Sequence, residues 1–345
     1  MKIGIRADSS FKIGTGHIHR CLPLSMEFKK KNVKTYFLTR NLPGNINSRI
    51  IKNGFKIKNI KIPNKKKADV FSKKQVNLDA NKTILHIKKL NIKLIFVDHY
   101  FLNKEWEKKV SRFCKVALID DFLKRKSFCD YYINYHLLKD KRNISKKFLK
   151  KNCKKILGPR YAIIKNLKGK KIKSESTPLI FVFMGGIDSK NYTCKIIYYL
   201  KNKKFQKYKI IILIGEKNLH KQKILPLIKK NKNFLIKIGN LNNLFYFFKK
   251  SSLVISGAGV TMYEHLYAGS NSLVIPQSNL QRRICENYDE KKIINYIKSI
   301  KELNLSLLSK CLKNKLTKAT ILKRKILFDG NGAARLANHF IKEKI

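Results

Sequence analysis

The stretch from Lys2 to Arg20 constrains this chain more than any other part of it. A short apolar strand, Lys2–Arg6, runs into Asp8-Ser9-Ser10, then Gly14-Thr15-Gly16, then a helical pattern over His17–Lys31. A strand that ends in a glycine turn and opens a helix starts a parallel α/β unit. The bare backbone N–H groups of such a turn can approach a phosphate. His17 falls in the first turn of the helix and faces the same space. Gly14 and Gly16 alone are equally served by a tight strand-to-helix turn, so the rest of the chain has to decide.

The alternation continues. Apolar runs at Lys34–Leu38, Leu94–Val97, Val116–Ile119 and Tyr131–Ile133 read as buried parallel strands, with helices at Thr83–Leu90 and Lys104–Cys114 between them. A polar, lysine-rich stretch from Asn166 to Pro178 then reads as a linker. Strands restart at Leu179–Met184, Lys209–Ile214, Phe234–Ile238, Leu253–Ser256 and Ser272–Ile275. Helices are expected at Ser189–Leu200, Leu241–Lys249, Thr261–Ala268, Gln281–Asn287 and Ala333–Lys344. A length of 345 residues exceeds what one core usually supports. Two domains are expected, 1–165 and 179–345, joined by the linker 166–178. Each is doubly wound, and the ligand is expected in a cleft between them, at the carboxyl ends of both sheets.

Charge and cysteine content exclude several classes. The formal charge is +57, yet the lysines are spread along the whole chain and Ile and Asn are also abundant. That pattern reads as compositional bias with a solvated surface, bringing a weak pull toward anionic surfaces. A nucleic-acid binder would cluster basic and aromatic residues on one face, and no such cluster is evident. The seven cysteines are widely spaced with no C-x-x-C pair, which argues against a disulfide framework and a zinc site. No apolar run approaches the roughly 20 residues of a membrane span. The N-terminus, a strand broken by Arg6, lacks a signal-peptide core. A cytoplasmic protein is expected.

The second unit carries its own glycine turns. Phe181–Met184 ends in Gly185-Gly186-Ile187-Asp188. Leu253–Ile255 runs through Ser256-Gly257-Ala258-Gly259 into Val260-Thr261 and a helix start, where N–H groups can hold a diphosphate. Glu264 lies one helical turn later. A carboxylate there can accept both hydroxyls of a ribose, or it is simply an acid favoured near a helix N-terminus.

In order along the chain come the opening loop, Asp98-His99-Tyr100, Asp120-Asp121 and Gly158-Pro159-Arg160-Tyr161-Ala162. Met184–Asp188, Ser256–Gly259 with Glu264, and Asp329-Gly330-Asn331-Gly332-Ala333 follow. This ordered set resembles the UDP-sugar hydrolases of pseudaminic acid biosynthesis. They hydrolyse UDP-2,4-diacetamido-2,4,6-trideoxy-β-L-altropyranose to free sugar and UDP. The resemblance covers most of the chain. It implies the GT-B architecture, shared with the glycosyltransferase that makes lipid II, and neither metal nor cofactor. It makes His17 the general base, and the positive end of a helix dipole agrees by disfavouring imidazolium. Water would attack the anomeric carbon as UDP leaves from the opposite face, with inversion.

Around His17, Asp8 and Ser9 are candidate sugar contacts or helix caps. Arg20 can meet a substrate phosphate or pair with Asp8, while His19 points elsewhere. Asp98, His99 and Tyr100 end a strand, where they can place the water, orient His17, bind acetamido groups, or simply cap and pack. Arg160 is a diphosphate or sugar contact or a surface arginine. Asn279 and Gln281 belong to the loop expected to face the sugar. Many relatives carry Asn-Gln before the paired arginines; here Leu280 precedes Gln281-Arg282-Arg283, with Asn279 adjacent. The alternatives are a glycosyltransferase of the same architecture, differing only in its acceptor, and a non-enzymatic binder of anionic polymers.

Overall fold

The computed structural model describes residues 1–63, 71–122, 125–138, 148–165, 177–229, 231–239, 244–314 and 316–343. The chain divides into two compact units. Unit 1 comprises Met1–Ile164 with Asn331–Ile345, and unit 2 comprises Lys165–Gly330. Most of the expected linker, 166–176, lies outside the described residues.

Unit 1 is built on seven parallel strands: β1 (Lys2–Ala7), β2 (Lys34–Thr39), β3 (Lys56–Asn59), β4 (Leu94–Asp98), β5 (Lys115–Ile119), β6 (Tyr131–Asn134) and β7 (Lys154–Leu157). Their order is β3-β2-β1-β4-β5-β6-β7. The short runs of Ile, Val and Phe are buried on both sheet faces, as parallel strands require. One face packs Val97, Trp106, Val116 and Leu118. On the other, the Phe96 ring meets Phe28 of helix Gly16–Lys30 at 5.6 Å and Phe340 at 4.9 Å. β1 and β4 are adjacent, with Ala7 beside Asp98 in register. The chain winds one way from β1 and the other way from β4, so their carboxyl ends form the topological switch point.

Unit 2 has six parallel strands: β8 (Leu179–Phe183), β9 (Lys209–Ile214), β10 (Phe234–Ile238), β11 (Ser251–Gly257), β12 (Ser272–Ile275) and β13 (Asn295–Tyr296). The order β10-β9-β8-β11-β12-β13 places its switch point between β8 and β11. The two glycine turns singled out in the sequence follow these two strands.

Three expectations are corrected. The C-terminal helix, Gly332–Lys342, belongs to unit 1, not to the second domain. Ala333, Leu336, Ala337 and Phe340 form a stripe at helical spacing that is buried, and Phe340 also meets Tyr131 at 4.8 Å. Gly332 permits this docking: a Cβ there would lie 2.1 Å from the Ala162 carbonyl oxygen. Arg6 does not break the first strand; it continues β1 and is wholly buried against Asp8 and Asp79. Helix Lys73–Leu90 begins ten residues before the expected start, under a reciprocal cap between Ser72 and Gln75.

Candidate active site

Beyond β1 the chain folds back on itself. Ser10 and Gly14 exchange backbone hydrogen bonds of 3.2 and 2.9 Å, and the Ser10 hydroxyl accepts from the Ile13 N–H at 2.9 Å. Gly14 sits at φ +84°, a conformation that favours glycine. A Cβ on Gly14 or Gly16 would meet nothing within 4 Å, so the outer face of this turn is open. Helix Gly16–Lys30 starts there, with no side chain capping its N–H groups.

His17 is buried at this helix start, and its Nδ1 lies 2.5 Å from Asp98 Oδ1 at the end of β4. The buried acid fixes the tautomer: Nδ1–H donates to the carboxylate and the Nε2 lone pair is left available. Nε2 has no hydrogen-bond partner among the described residues. Arg20, one turn along, grips Asp98 through Nε and Nη2, both at 2.5 Å. Its Nη1 donates to Asp121 Oδ1 and to the Tyr135 hydroxyl, each at 2.8 Å. Burial opposes the Asp98 charge, but Arg20 and His17 hold its carboxyl below its ordinary range. The Tyr100 ring stands edge-on to the imidazole, 4.5 Å between centroids. Among the options the sequence left for Asp98, orienting His17 is the one the geometry realises. Arg20 meets Asp98 and Asp121 rather than Asp8, and it is buried.

Asp8, Ser9 and His99 are engaged within unit 1. All three are buried. Asp8 accepts from Arg6 Nη1 and Nη2 at 2.7 and 3.0 Å, and from Arg40 N and Nε at 2.8 and 2.7 Å. That saturates a carboxylate. His99 places Nε2 3.1 Å from Asp8 Oδ2, while its Nδ1 accepts the Phe101 N–H at 3.1 Å. Burial lowers His99 to about 4, so it is a neutral donor to Asp8. The Ser9 hydroxyl accepts from the Ile46 N–H at 3.0 Å. The reason is lateral: β1 lies between β2 and β4, and its strand-end groups are covered by the loops after them. Tyr100 differs, being 38% exposed.

In unit 2, Gly185 has φ +95° and a Cβ there would meet nothing within 4 Å; the same space stands over Gly259. Gly186 packs its backbone against Gly215, where a Cβ would lie 2.1 Å from the Gly186 oxygen. Asp188 caps helix Tyr192–Leu200, accepting the Tyr192 and Thr193 N–H groups at 3.0 Å each. Ser256 turns into unit 2. Its hydroxyl is buried, donates to the Gly257 oxygen at 3.2 Å and meets His265 Nε2 at 2.9 Å. Ala258 is buried beside it. Helix Val260–Tyr267 begins after Gly259 with no side-chain cap, leaving the N–H groups at Val260 and Thr261 for an anion.

Glu264 lies half-buried on that helix. Its carboxylate has no hydrogen-bond partner among the described residues. Burial pushes it up to about 7, opposed by the Lys165 charge. Asn279 is exposed as the first residue of helix Asn279–Asp289, and Gln281 turns inward, its Oε1 accepting the Gln277 N–H at 2.8 Å. Arg160 is exposed in unit 1, and its backbone oxygen accepts from Arg335.

Three groups had no role assigned from the sequence. Gln277 joins the two turns of unit 2, its Nε2 donating to the Met184 oxygen at 2.5 Å and lying 2.9 Å from where a Gly257 Cβ would sit. Asp121 accepts from Arg20 and meets His136. The signal that could have found these two is their position just past the ends of β5 and β6, next in sheet order after β4.

No family model matches the chain. An uncharacterized protein of Methanocaldococcus jannaschii, MJ1062, is 28% identical over 315 residues, covering 88% of this chain. The chain spans 61% of the length of that relative. Solved structures are more informative about architecture. MurG of Acinetobacter baumannii superposes with a TM-score of 0.64 at 11% identity, covering 99% of this chain and 100% of that one. SnogD, a glycosyltransferase from Streptomyces nogalater, gives 0.66 at 11% identity over 98% and 99%. The glycosyltransferase VinC, in complex with dTDP, gives 0.65 at 8% identity over 99% of each. The fold is that of the GT-B glycosyltransferases. At these identities the likeness speaks to fold and not to chemistry. Among the described residues, no helix of this GT-B chain is long and apolar enough to cross a membrane.

Proposed function

We propose that this chain cleaves the anomeric C–O bond of a UDP-linked sugar, with His17 as the general base. The observation that carries the reading is the His17–Asp98 pair at the open end of the Gly14–Gly16 turn. Asp98 holds the Nδ1 proton, so Nε2 can take a proton from an oxygen nucleophile as it attacks the anomeric carbon. The new C–O bond forms on one face while the bond to the diphosphate breaks on the other, and its electron pair leaves on UDP. One displacement inverts the carbon. Unit 2 supplies the nucleotide contacts in this reading: the uncapped N–H groups at Val260 and Thr261 for the diphosphate, and Glu264 for the ribose hydroxyls.

The nucleophile separates two readings. Water is supported by the ordered motifs shared with the pseudaminic-pathway hydrolases, and with it the 2,4-diacetamido-2,4,6-trideoxy sugar. Tyr100 and Phe122, 38% and 43% exposed with rings 4.8 Å apart, offer apolar faces beside His17 that suit acetamido and 6-deoxy methyl groups. An acceptor hydroxyl is the second reading, and the comparisons favour it, since the superposing structures named above include glycosyltransferases. A single assay separates them: purified protein, the UDP-linked diacetamido sugar, no acceptor, products followed by NMR. Free sugar released as the inverted anomer supports hydrolysis. An inert donor that turns over only when a hydroxyl acceptor is added replaces hydrolysis with transfer.

A further inference from the structure

The acid pair after β5 faces two ways. Asp120 braces the sheet, its Oδ2 accepting from the Tyr132 hydroxyl at 2.6 Å and from the Phe122 N–H at 3.2 Å. Asp121 turns toward His17 without touching it. Its Oδ1 accepts from Arg20 Nη1 at 2.8 Å and meets His136 Nε2 at 2.8 Å, and its Oδ2 accepts from the Tyr100 hydroxyl at 2.8 Å. The two groups that hold the imidazole therefore both lead back to this carboxylate. Arg20 fixes Asp98, which holds Nδ1, and Tyr100 is the ring standing edge-on to His17.

We propose that Asp121 is a positioning residue for His17, acting through Arg20 and Tyr100. The proposal rests on His17 being the base. It goes beyond geometry to charge. One guanidinium, Arg20, is shared by two buried carboxylates, Asp98 and Asp121. The second carboxylate favours the imidazolium formed when His17 accepts a proton. Burial opposes the Asp121 charge, yet Arg20 and the hydrogen-bonded His136 hold its carboxyl well below the ordinary range. The groups facing His17 are Asp98 at the end of β4, Tyr100 just after it, and Arg20 and Cys21 on its own helix. Asp121, Tyr135 and His136 stand behind them.

The test is an NMR titration of the His17 Cε1–H signal in the full chain without ligand, for wild type, Asp121→Asn and Tyr100→Phe. His17→Asn assigns the signal. In Asp121→Asn the midpoint is expected to move to lower pH by roughly one to two units, the effect of removing one charge several ångströms away at an effective dielectric near 20. In Tyr100→Phe the tie to Asp121 is lost, the ring is released, and the His17 resonance shifts. Turnover of the UDP-sugar should fall in both variants through kcat, with KM within about twofold. An unmoved midpoint in a folded Asp121→Asn protein overturns the proposal, whatever turnover does. Should that variant fail to fold, an unchanged His17 resonance in Tyr100→Phe overturns it. If the midpoint moves while the wild type cleaves no UDP-sugar, the positioning stands and the proposed function falls.

Discussion

The two switch points are built from opposite materials. At the ends of β1 and β4, unit 1 gathers Asp8, Asp98, Arg6, Arg20, Arg40, His17 and His99, nearly all buried and each ionic group held by a partner. At the ends of β8 and β11, unit 2 offers glycine backbone, an uncapped helix start and Glu264, whose carboxylate has no hydrogen-bond partner among the described residues. Fixed side-chain dipoles and a tautomer-locked histidine suit proton transfer, because they need no rearrangement as charge develops. Exposed N–H groups and an unsatisfied acid suit binding, since their hydrogen bonds await a ligand. Under the proposed function the contrast gives chemistry to unit 1 and recognition to unit 2, and it also divides unit 1 internally. The Asp8 cluster balances Arg6 and Arg40 against Asp8 and Asp79, which suits a scaffold. The Asp98 cluster shares one guanidinium between two carboxylates and reaches the open turn through His17.

The largest expected effect follows from that division. Asp8→Ala leaves Arg6 and Arg40 short of a partner inside the sheet edge and should cost about 3–5 kcal/mol of stability, the usual penalty for breaking a buried ion pair. Urea unfolding checks it. A loss under about 1 kcal/mol, with activity gone instead, would move Asp8 from the scaffold into the site. Next comes His17→Asn, which should lower turnover by roughly 100- to 10,000-fold while UDP binding changes little. Calorimetry beside a rate assay reads both quantities, and full turnover in that variant removes His17 from the mechanism. A smaller effect is expected in unit 2, where Glu264→Ala should weaken UDP by about 10- to 100-fold, the worth of hydrogen bonds to a charged group. Equal affinity there dissolves the contrast between the units.

How far the sequence reached depends on what kind of information it holds. Strands such as Lys209–Ile214 and Ser272–Ile275 were legible to the residue, because buried parallel strands are short unbroken apolar runs. β3 and β7, the edge strands of unit 1, were not: Lys-Ile-Lys-Asn and Lys-Lys-Ile-Leu carry too few apolar residues to stand out from loop. The C-terminal helix shows its apolar stripe plainly, but a stripe does not say which sheet it covers. The same limit applies at the site. His17 is announced by the glycine turn before it. Whether a strand-end acid is free or saturated depends on the neighbouring strands, as Asp8 beneath Arg40 shows, and sheet order is a tertiary fact. Asp121 was visible within a motif yet had no role until β4 and β5 proved adjacent.

The smallest expected effect is the sharpest test of unit 2. Glu264 is raised by burial from an ordinary 4.5 to about 7 in the unliganded protein. Between those two values the folded chain holds a proton that the unfolded chain has lost. Stability therefore declines as pH rises through that window, and the penalty is complete above about 7. Half-burial limits it to about 1–2 kcal/mol, below the ceiling of roughly 3 that the full shift implies. Glu264→Gln should accordingly be more stable than wild type at pH 8 and no different at pH 4, as thermal unfolding at the two values can show. Ligand binding carries the opposite sign. Ribose hydroxyls donate to the charged carboxylate, so UDP should bind the wild type several-fold more tightly at pH 8 than at pH 5.5, beyond whatever change UDP's own phosphate contributes. The Gln variant shares that phosphate and isolates the carboxylate. If both proteins lose affinity in parallel across this range, Glu264 does not hold the ribose, and the unpartnered acid of unit 2 needs another explanation.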